Sequence, residues 1–422
     1  MKNIIKKTTH CLPKFLRRFS YFIYEEFYRR ESRRKARAAG IDLSLLGLDN
    51  ERNSDRGEGR EKRVLFYHKS GLSFGGTEKF LQIIAKHLPP DKFEVFFMAS
   101  WDEAGDNRRE YLKAEKIKLI NFSYSRTDGR FPYFLHDQKP DIFSVIRDNK
   151  IDVIVSAGPG YSDYPLNLIK TVPIILLGVF GYATVQKNVE RQIYISEEVG
   201  VKVKLIAAKK KIALMPILSE AVKPEYKDSG RRLRQSLGLS DSDVVFGRIG
   251  RGDDYIFDPI GIRAFERLVR EYDNVAYLIM SPPPLLRKIV AAEKIRRVYF
   301  LEPSAKEEDV WSFHNAIDVL AHFRRDGESQ GLNIVESMLC AKPVITHRSG
   351  IWNAHLEYLE ESFSRVARFD NVDDYYGYMK EMVNLHAQDK LAGLGAKARA
   401  KAAKIFLIEN RLPEIIGWFD NL

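Results

Sequence analysis

The sequence predicts an α/β protein made of two doubly wound, Rossmann-like domains in tandem, preceded by a basic helical extension. Three observations lead there. Short apolar runs alternate with amphipathic stretches in two successive series, two carboxylates, Glu328 and Glu336, flank a helix start in the second series, and a net charge of +11 is concentrated at one end. Alternation of buried strands with helices implies a parallel sheet covered on both faces. A chain of 422 residues with 45% apolar content has material for two such domains.

The first series opens with a strand at Arg63 to Tyr67, then Ser70 to Glu78 with the glycine pair Gly75-Gly76, then a helix from Lys79 to Leu88. A glycine pair between strand and helix allows close approach of a ligand to backbone, though it matches no standard phosphate-loop pattern. Strands are expected at Glu94–Ala99, Lys118–Phe122, Val153–Ser156, Pro173–Leu177 and Arg191–Ser196, with helices at Arg108–Glu115 and Asp141–Asn149. A segment holding Pro216 and Pro224 leads to a helix, Gly230–Leu237, and to the second series. Its strands are Val244–Ile249, Ala276–Met280, Val298–Phe300, Ile317–Phe323 and Val344–Thr346, and its helices Pro259–Glu271, Pro284–Ala292, Glu307–His314 and Gly331–Cys340. A last helix is expected at Ile405–Phe419. In such folds the ligand site faces the carboxyl ends of the sheets, here expected in a cleft between the domains.

The stretch DGESQGLNIVESMLCAKPV, Asp326 to Val344, carries the chemistry. After a buried strand, Leu332, Val335, Met338 and Leu339 recur at helical spacing, so N–H groups near Gly331 and Leu332 would face an anion at a helix N-terminus. Glu336 is then placed to accept hydrogen bonds from vicinal hydroxyls, as an acid does on a nucleotide ribose in other parallel-sheet folds. Glu328, in the turn, would face a second polyol. The chemistry suggested is a nucleotide sugar. The competing account makes Glu336 a solvated helix residue and Glu328 a first-turn acid complementing the helix dipole.

Residues 1–37 hold twelve Lys and Arg against three acids, leaving a net charge of only +2 for the rest. Leu12, Phe15, Leu16, Phe19, Phe22, Ile23 and Phe27 share one helical face there. A basic helix with an aromatic stripe suits an anionic membrane surface, while the same stripe could pack on the protein's own core. Nucleic acid is not expected as a partner, since nothing beyond this segment supports it. The polar stretch 41–62 reads as a linker. The only cysteines are Cys11 and Cys340, and the nine histidines lack metal-ligand spacing, so neither a disulfide framework nor a metal site is expected. No secretory signal or membrane-spanning run is evident, and the expected location is the cytoplasm, with peripheral attachment to the inner face of the cell membrane.

The order of these motifs resembles the GT-B glycosyltransferases, and specifically glycosyltransferase family 4 (glycosyl transferases group 1), over about residues 63–422. The matching pieces are Gly75-Gly76-Thr77-Glu78, Ile249-Gly250-Arg251 with Ala264-Phe265, Ser304 to Leu320, Gly327 to Val344, and Ser349 to Glu357. The resemblance implies a retaining hexosyltransferase that moves a sugar from a nucleotide-diphosphate donor to a polysaccharide, lipopolysaccharide or lipid-linked glycan. By it, Glu336 binds the ribose and Glu328 the donor sugar, with Gly75, Gly76, Gln330, Gly331 and Leu332 also at the donor. Arg251 neutralises the diphosphate as the sugar bond breaks, and no metal or other cofactor is needed. It also implies an extension and linker over 1–62, an acceptor domain over 63–220, a donor domain over 221–403, and a tail, 404–422, crossing back to the first domain. The family usually has a lysine five residues after the arginine, where this chain has Ile256, and a glycine at Ala341. A histidine common after the strand ending at Ser156 is also absent. These departures keep two alternatives open, a degenerate GT-B protein that binds a nucleotide sugar without turnover and a GT-B nucleotide-sugar epimerase.

Asp241-Ser242-Asp243 has the form of a DxD metal motif, but it precedes a strand and reads as turn chemistry. Asn121-Phe122-Ser123 is formally a glycosylation sequon.

Overall fold

The computed structural model describes residues 26–27, 29–34, 37, 60–68, 75–100, 112, 117–123, 140–204, 212–214 and 218–422, apart from 163, 171, 185 and 305. Most of the expected linker, most of the basic stretch 1–37, the loop 70–74 and the helix expected at Arg108–Glu115 except Leu112 lie outside these. The chain divides into two compact units, Met1–Pro216 together with Leu412–Leu422, and Ile217–Arg411.

The first unit runs β1 (Lys62–Tyr67), α1 (Gly76–His87), β2 (Phe93–Ala99), β3 (Lys118–Asn121), α2 (Ile142–Asp148), β4 (Val153–Gly158), β5 (Ile174–Gly178), β6 (Val189–Tyr194), α3 (Glu197–Lys204) and β7 (Ile212–Leu214). Its seven strands are parallel in the order 3-2-1-4-5-6-7. Val64, Leu65 and Phe66 at the sheet's centre are fully buried, which is why β1 reads as a continuous apolar run and not an alternating one. Asp141 caps α2 by accepting from the N–H groups of Phe143 and Ser144. Both ends of the chain contribute to this unit. Asn167 Nδ2 donates to the buried Ser32 Oγ at 2.9 Å. Near the C-terminus, the Phe419 ring packs on Phe93 with centroids 5.0 Å apart, and Lys62 Nζ donates to Phe419 O at 2.6 Å.

The second unit runs α4 (Glu225–Ser236), β8 (Val244–Ile249), α5 (Ile260–Glu271), β9 (Val275–Met280), α6 (Pro284–Ala292), β10 (Val298–Leu301), α7 (Glu307–Ala316), β11 (Val319–Ala321), β12 (Gly327–Glu328), α8 (Leu332–Leu339), β13 (Val344–His347), β14 (Trp352–Asn353), β15 (Ser364–Ala367), α9 (Val372–Ala387), α10 (Leu391–Phe406) and the start of α11 (Ile408–Gly417), whose residues from Leu412 on belong to the first unit. Six parallel strands lie in the order 10-9-8-11-13-15, so the winding reverses between β8 and β11. That reversal leaves a crevice at the carboxyl ends of those two strands, where ligands bind in such sheets. At the opposite end, Asp318 accepts from Val245 N at 2.8 Å and from Arg234 Nη1 at 2.9 Å, tying α4 to the sheet.

Several expected elements change. The strand expected at Ile317–Phe323 contracts to Val319–Ala321, because Asp318 is spent on Val245 and Arg234 and the chain turns off at His322. The helix expected from Gly230 begins at Glu225. The single tail helix expected at Ile405–Phe419 is broken at Leu407, where Ser219 N donates to Phe406 O and Ile408 N to Ser219 O. Asp243 folds back to accept from Ser240 N at 2.7 Å and pairs with Arg297, so the DxD sequence is a turn, as expected. Among the described residues no helix is long and apolar enough to cross a membrane.

Helix α8 ends in a Schellman arrangement. Ala341 N donates to Met338 O and Lys342 N to Ser337 O, and Ala341 itself is left-handed at φ 59°. A Cβ is strained in that region and glycine is not. Ala341→Gly is therefore expected to stabilise the second unit by about 0.5–1 kcal/mol, read as a higher urea midpoint at unchanged slope. A lower midpoint would contradict this account of the helix end.

Candidate functional site

Glu328 and Glu336 are both interior groups. Glu336, on α8, is 5% exposed, and its Oε2 lies 3.3 Å from Nε2 of the fully buried His314 on α7. His314 Nδ1 is 2.7 Å from Ser337 Oγ. A serine donating to Nδ1 leaves the imidazole proton on Nε2, aimed at the carboxylate. The solvated-helix account of Glu336 is thus wrong.

Glu328 is 9% exposed and lies ahead of the helix, not in its first turn. It belongs to the two-residue β12, which pairs with β14 in the register Gly327↔Trp352 and Glu328↔Asn353. Gly327 is left-handed at φ 68°, and a Cβ there would stand 1.8 Å from Trp352 O, so only glycine lets β14 approach. His322 Nε2 stands 3.3 Å from Glu328 Oε1, and Arg324 Nη1 stands 3.5 Å from Oε2. Arg324 is itself held by Asp326, with Nε to Oδ1 at 2.6 Å and Nη2 to Oδ2 at 3.0 Å. Its backbone N–H donates to His347 Nε2 at 3.2 Å. Burial alone would raise the Glu328 pKa, but the Arg324 charge and the His322 contact outweigh it and bring it down to about 2. The group is a fixed anion at neutral pH.

Between the two acids the chain turns into α8 through Gly331, left-handed at φ 89°. Gly331 O accepts from Ile334 N and Val335 N, and Asn333 Oδ1 accepts from Ile334 N at 3.0 Å. The N–H groups of Leu332 and Asn333, at the positive end of the helix, donate to no acceptor among the described residues. Tyr358 OH donates to Gln330 O at 2.6 Å and fixes this turn from behind.

Asn333 joins the turn to β8. Its Nδ2 donates to Ile249 O at 2.8 Å and lies 3.4 Å from His322 Nδ1. With both amide protons so directed, His322 Nδ1 is an acceptor and its proton sits on Nε2, close to Glu328 but not aligned for a hydrogen bond to it. The carboxyl end of β8, the first turn of α8 and Glu328 therefore form one connected corner. Arg251, two residues past β8, is exposed and makes no ion pair or hydrogen bond among the described residues. The structure thus brings Arg251, Glu328, Gln330, Gly331, Leu332 and Glu336 onto one edge of the second unit. Gly75 and Gly76 belong to the first unit, where Gly75 N-caps α1 and Gly75 O accepts from Lys79 N.

Sequence reasoning missed His314, His322, Arg324, Asn333, His355 and Tyr358. His355 is 1% exposed, neither ring nitrogen has a hydrogen-bond partner, and burial brings its pKa down to about 4, so it stays neutral beside Glu328. His314 lies within the stretch quoted before the acidic motif, and its position one helix upstream of Glu336 was the available signal.

Solved structures share the architecture. HepE of Anabaena, in complex with UDP and glucose, superposes with a TM-score of 0.66 over 86% of this chain and 100% of its own, at 18% identity. A glycosyltransferase from Rickettsia africae gives 0.66 over 86% and 100% at 12% identity. WaaG, a glycosyltransferase involved in lipopolysaccharide biosynthesis, gives 0.59 over 84% and 98% at 15% identity. At these identities the likeness is one of fold, and it establishes the two-domain GT-B fold for this chain. No protein-family profile matches the chain, and no curated protein is similar to it in sequence.

Two acid-sensitive windows follow from the buried groups. Below about pH 6.5 the unfolded chain protonates at the His355 position while folded His355 does not, so stability falls as pH drops toward 4. Glu328, depressed in the folded state, contributes stability that is complete above about pH 5 and lost as pH falls through 2. That contribution is roughly 3 kcal/mol on the linkage scale. In urea titrations across pH, Glu328→Gln should flatten the lower window and leave the upper one. An unchanged lower window would show that Glu328 is not the depressed carboxylate.

Proposed function

We propose that this chain is a glycosyltransferase that takes a sugar from a nucleotide-diphosphate donor and places it, with retention, on a glycan or glycolipid acceptor. The observation that carries this reading is the corner at the β8/β11 reversal. There two buried carboxylates flank a helix N-terminus with unpaired N–H groups, in a fold whose solved neighbours include one bound to UDP and glucose.

The roles follow from charge and geometry. The unpaired N–H groups of Leu332 and Asn333 suit a phosphate, which the helix dipole also favours. Glu336, held by His314, accepts hydrogen bonds from ribose hydroxyls, and Glu328, held by Arg324 and His322, accepts them from the donor sugar. As the bond from the sugar to the diphosphate breaks, negative charge grows on the leaving phosphate oxygen, and Arg251 with the helix N-terminus stabilises it. The acceptor hydroxyl forms the new bond to the anomeric carbon, and its proton passes to the departing diphosphate. Positive charge comes from the protein itself, so no metal is required.

Residues 1–37 hold the enzyme at an anionic membrane face. Within this stretch Ser32 is buried and accepts a hydrogen bond from Asn167 of the first unit, so a deletion that spares this contact stops at residue 25.

Donor hydrolysis or transfer over a panel of nucleotide sugars tests the main reading. Glu336→Ala should weaken donor affinity roughly 10- to 100-fold, and chelation with EDTA should leave turnover unchanged. Donor binding without turnover over any acceptor would favour a degenerate binding protein, and interconversion of donors without acceptor would favour an epimerase. Removal of residues 1–25 should release the protein from vesicles containing anionic lipid, and full retention would sink the anchoring role.

A further inference from the structure

We propose that Arg248, the interior arginine near the end of β8, is a phosphate ligand of this site, reached by the anion through the space left open by Gly250. This rests on reading the corner as a nucleotide-diphosphate site and adds a residue to it.

The argument begins with an uncompensated cation. Arg248 is 2% exposed, yet no carboxylate pairs with it among the described residues. Its Nη1 reaches Ser281 O at 3.5 Å, its Nε has no partner, and its guanidinium lies 5.2 Å over the Phe323 ring. Burial lowers its pKa only to about 10, so it is charged at neutral pH. The acid that acts on it from a distance, Glu328, is already engaged by Arg324 and His322. A guanidinium has five N–H donors, and an interior one left short of acceptors costs several kcal/mol unless an anion meets it.

The direction of approach is given by Gly250. A Cβ there would stand 3.5 Å from Arg248 Nη2, and the closest atoms it would meet all belong to that guanidinium. Hydrogen in place of a side chain therefore leaves the space beside the guanidinium free of side-chain atoms on the side of the loop after β8, although the arginine itself stays buried. The neighbouring Ile249 carbonyl is the one held by Asn333, so this opening adjoins the unpaired N–H groups of α8. Arg248 and the exposed Arg251 lie one residue before and two residues after Ile249, which sets both beside a phosphate seated on that helix N-terminus. Two linked phosphates, as in a nucleoside diphosphate, supply enough oxygens for both arginines and the helix end.

Calorimetry on the full chain with inorganic pyrophosphate and with UDP tests the assignment. Arg248→Met should weaken pyrophosphate binding roughly 10- to 100-fold, the range for losing a charge-assisted contact, and Arg248→Lys should recover part of it. Gly250→Val keeps the charge but fills the approach, and should weaken binding to a similar extent. A merely structural Arg248 would lower thermal stability while leaving pyrophosphate affinity as in the unmodified protein. That result, or unmodified protein that fails to bind pyrophosphate, overturns the proposal. Should Arg248→Met not fold, a crystal structure of the unmodified protein with pyrophosphate decides. A phosphate oxygen within hydrogen-bond distance of Arg248 supports the assignment, and density elsewhere or none refutes it. If no nucleotide sugar is used but pyrophosphate binding still depends on Arg248 and Gly250, the functional reading fails while this assignment stands.

Discussion

The candidate site depends on keeping Glu328 ionised inside the protein. A buried carboxylate would normally protonate, and the structure around it prevents that. Arg324 supplies the charge, Asp326 and the His347 ring fix Arg324, and Asn333 sets the tautomer that leaves the His322 proton on the nitrogen near the acid. Gly327 lets β14 close on β12 beside it. Residues from His322 to Tyr358 are therefore one electrostatically coupled piece. Its polar groups are oriented before any ligand arrives, the condition under which fixed charges stabilise developing charge most effectively.

Much of this was legible in the sequence, and the legible parts share a cause. Parallel strands buried on both faces must be apolar throughout, so Val64–Phe66, Val244–Phe246 and Val275–Ile279 stand out as runs. The spacing of Glu328 and Glu336 around Gly331 is local to one turn and one helix, so their shared location could be read without tertiary information. What could not be read depends on partners distant in the chain. His314 meets Glu336 from the preceding helix, and Tyr358 meets Gln330 from 28 residues downstream. Strands of two residues such as β12 and β14 carry no periodicity. The break at Leu407 exists because Ser219, nearly two hundred residues earlier, bridges there. Alternation marks elements well and marks their ends poorly, since ends are set by caps and bridges and not by burial.

The departure at Ile256 looks different once its surroundings are considered. Ile256 is buried, its N–H donates to Asp253 O, and its carbonyl accepts from Arg325 N at 3.0 Å. That last bond ties the loop after β8 to the residue next to Arg324. The loop bearing Arg251 and the segment bearing Glu328 are thus joined at Ile256 on one side and at Asn333 on the other. A lysine ammonium at position 256 would have to be desolvated to occupy the same place, at a cost that an aliphatic side chain avoids. In the proposed site, positive charge near the phosphates would instead come from Arg251 at the surface and from Arg248 beneath Gly250. The apolar residue therefore does not by itself argue for a site that has decayed. It contributes to the packing that holds the two halves of the corner together, and on the proposed reading the question of turnover moves from the missing lysine to the two arginines that remain.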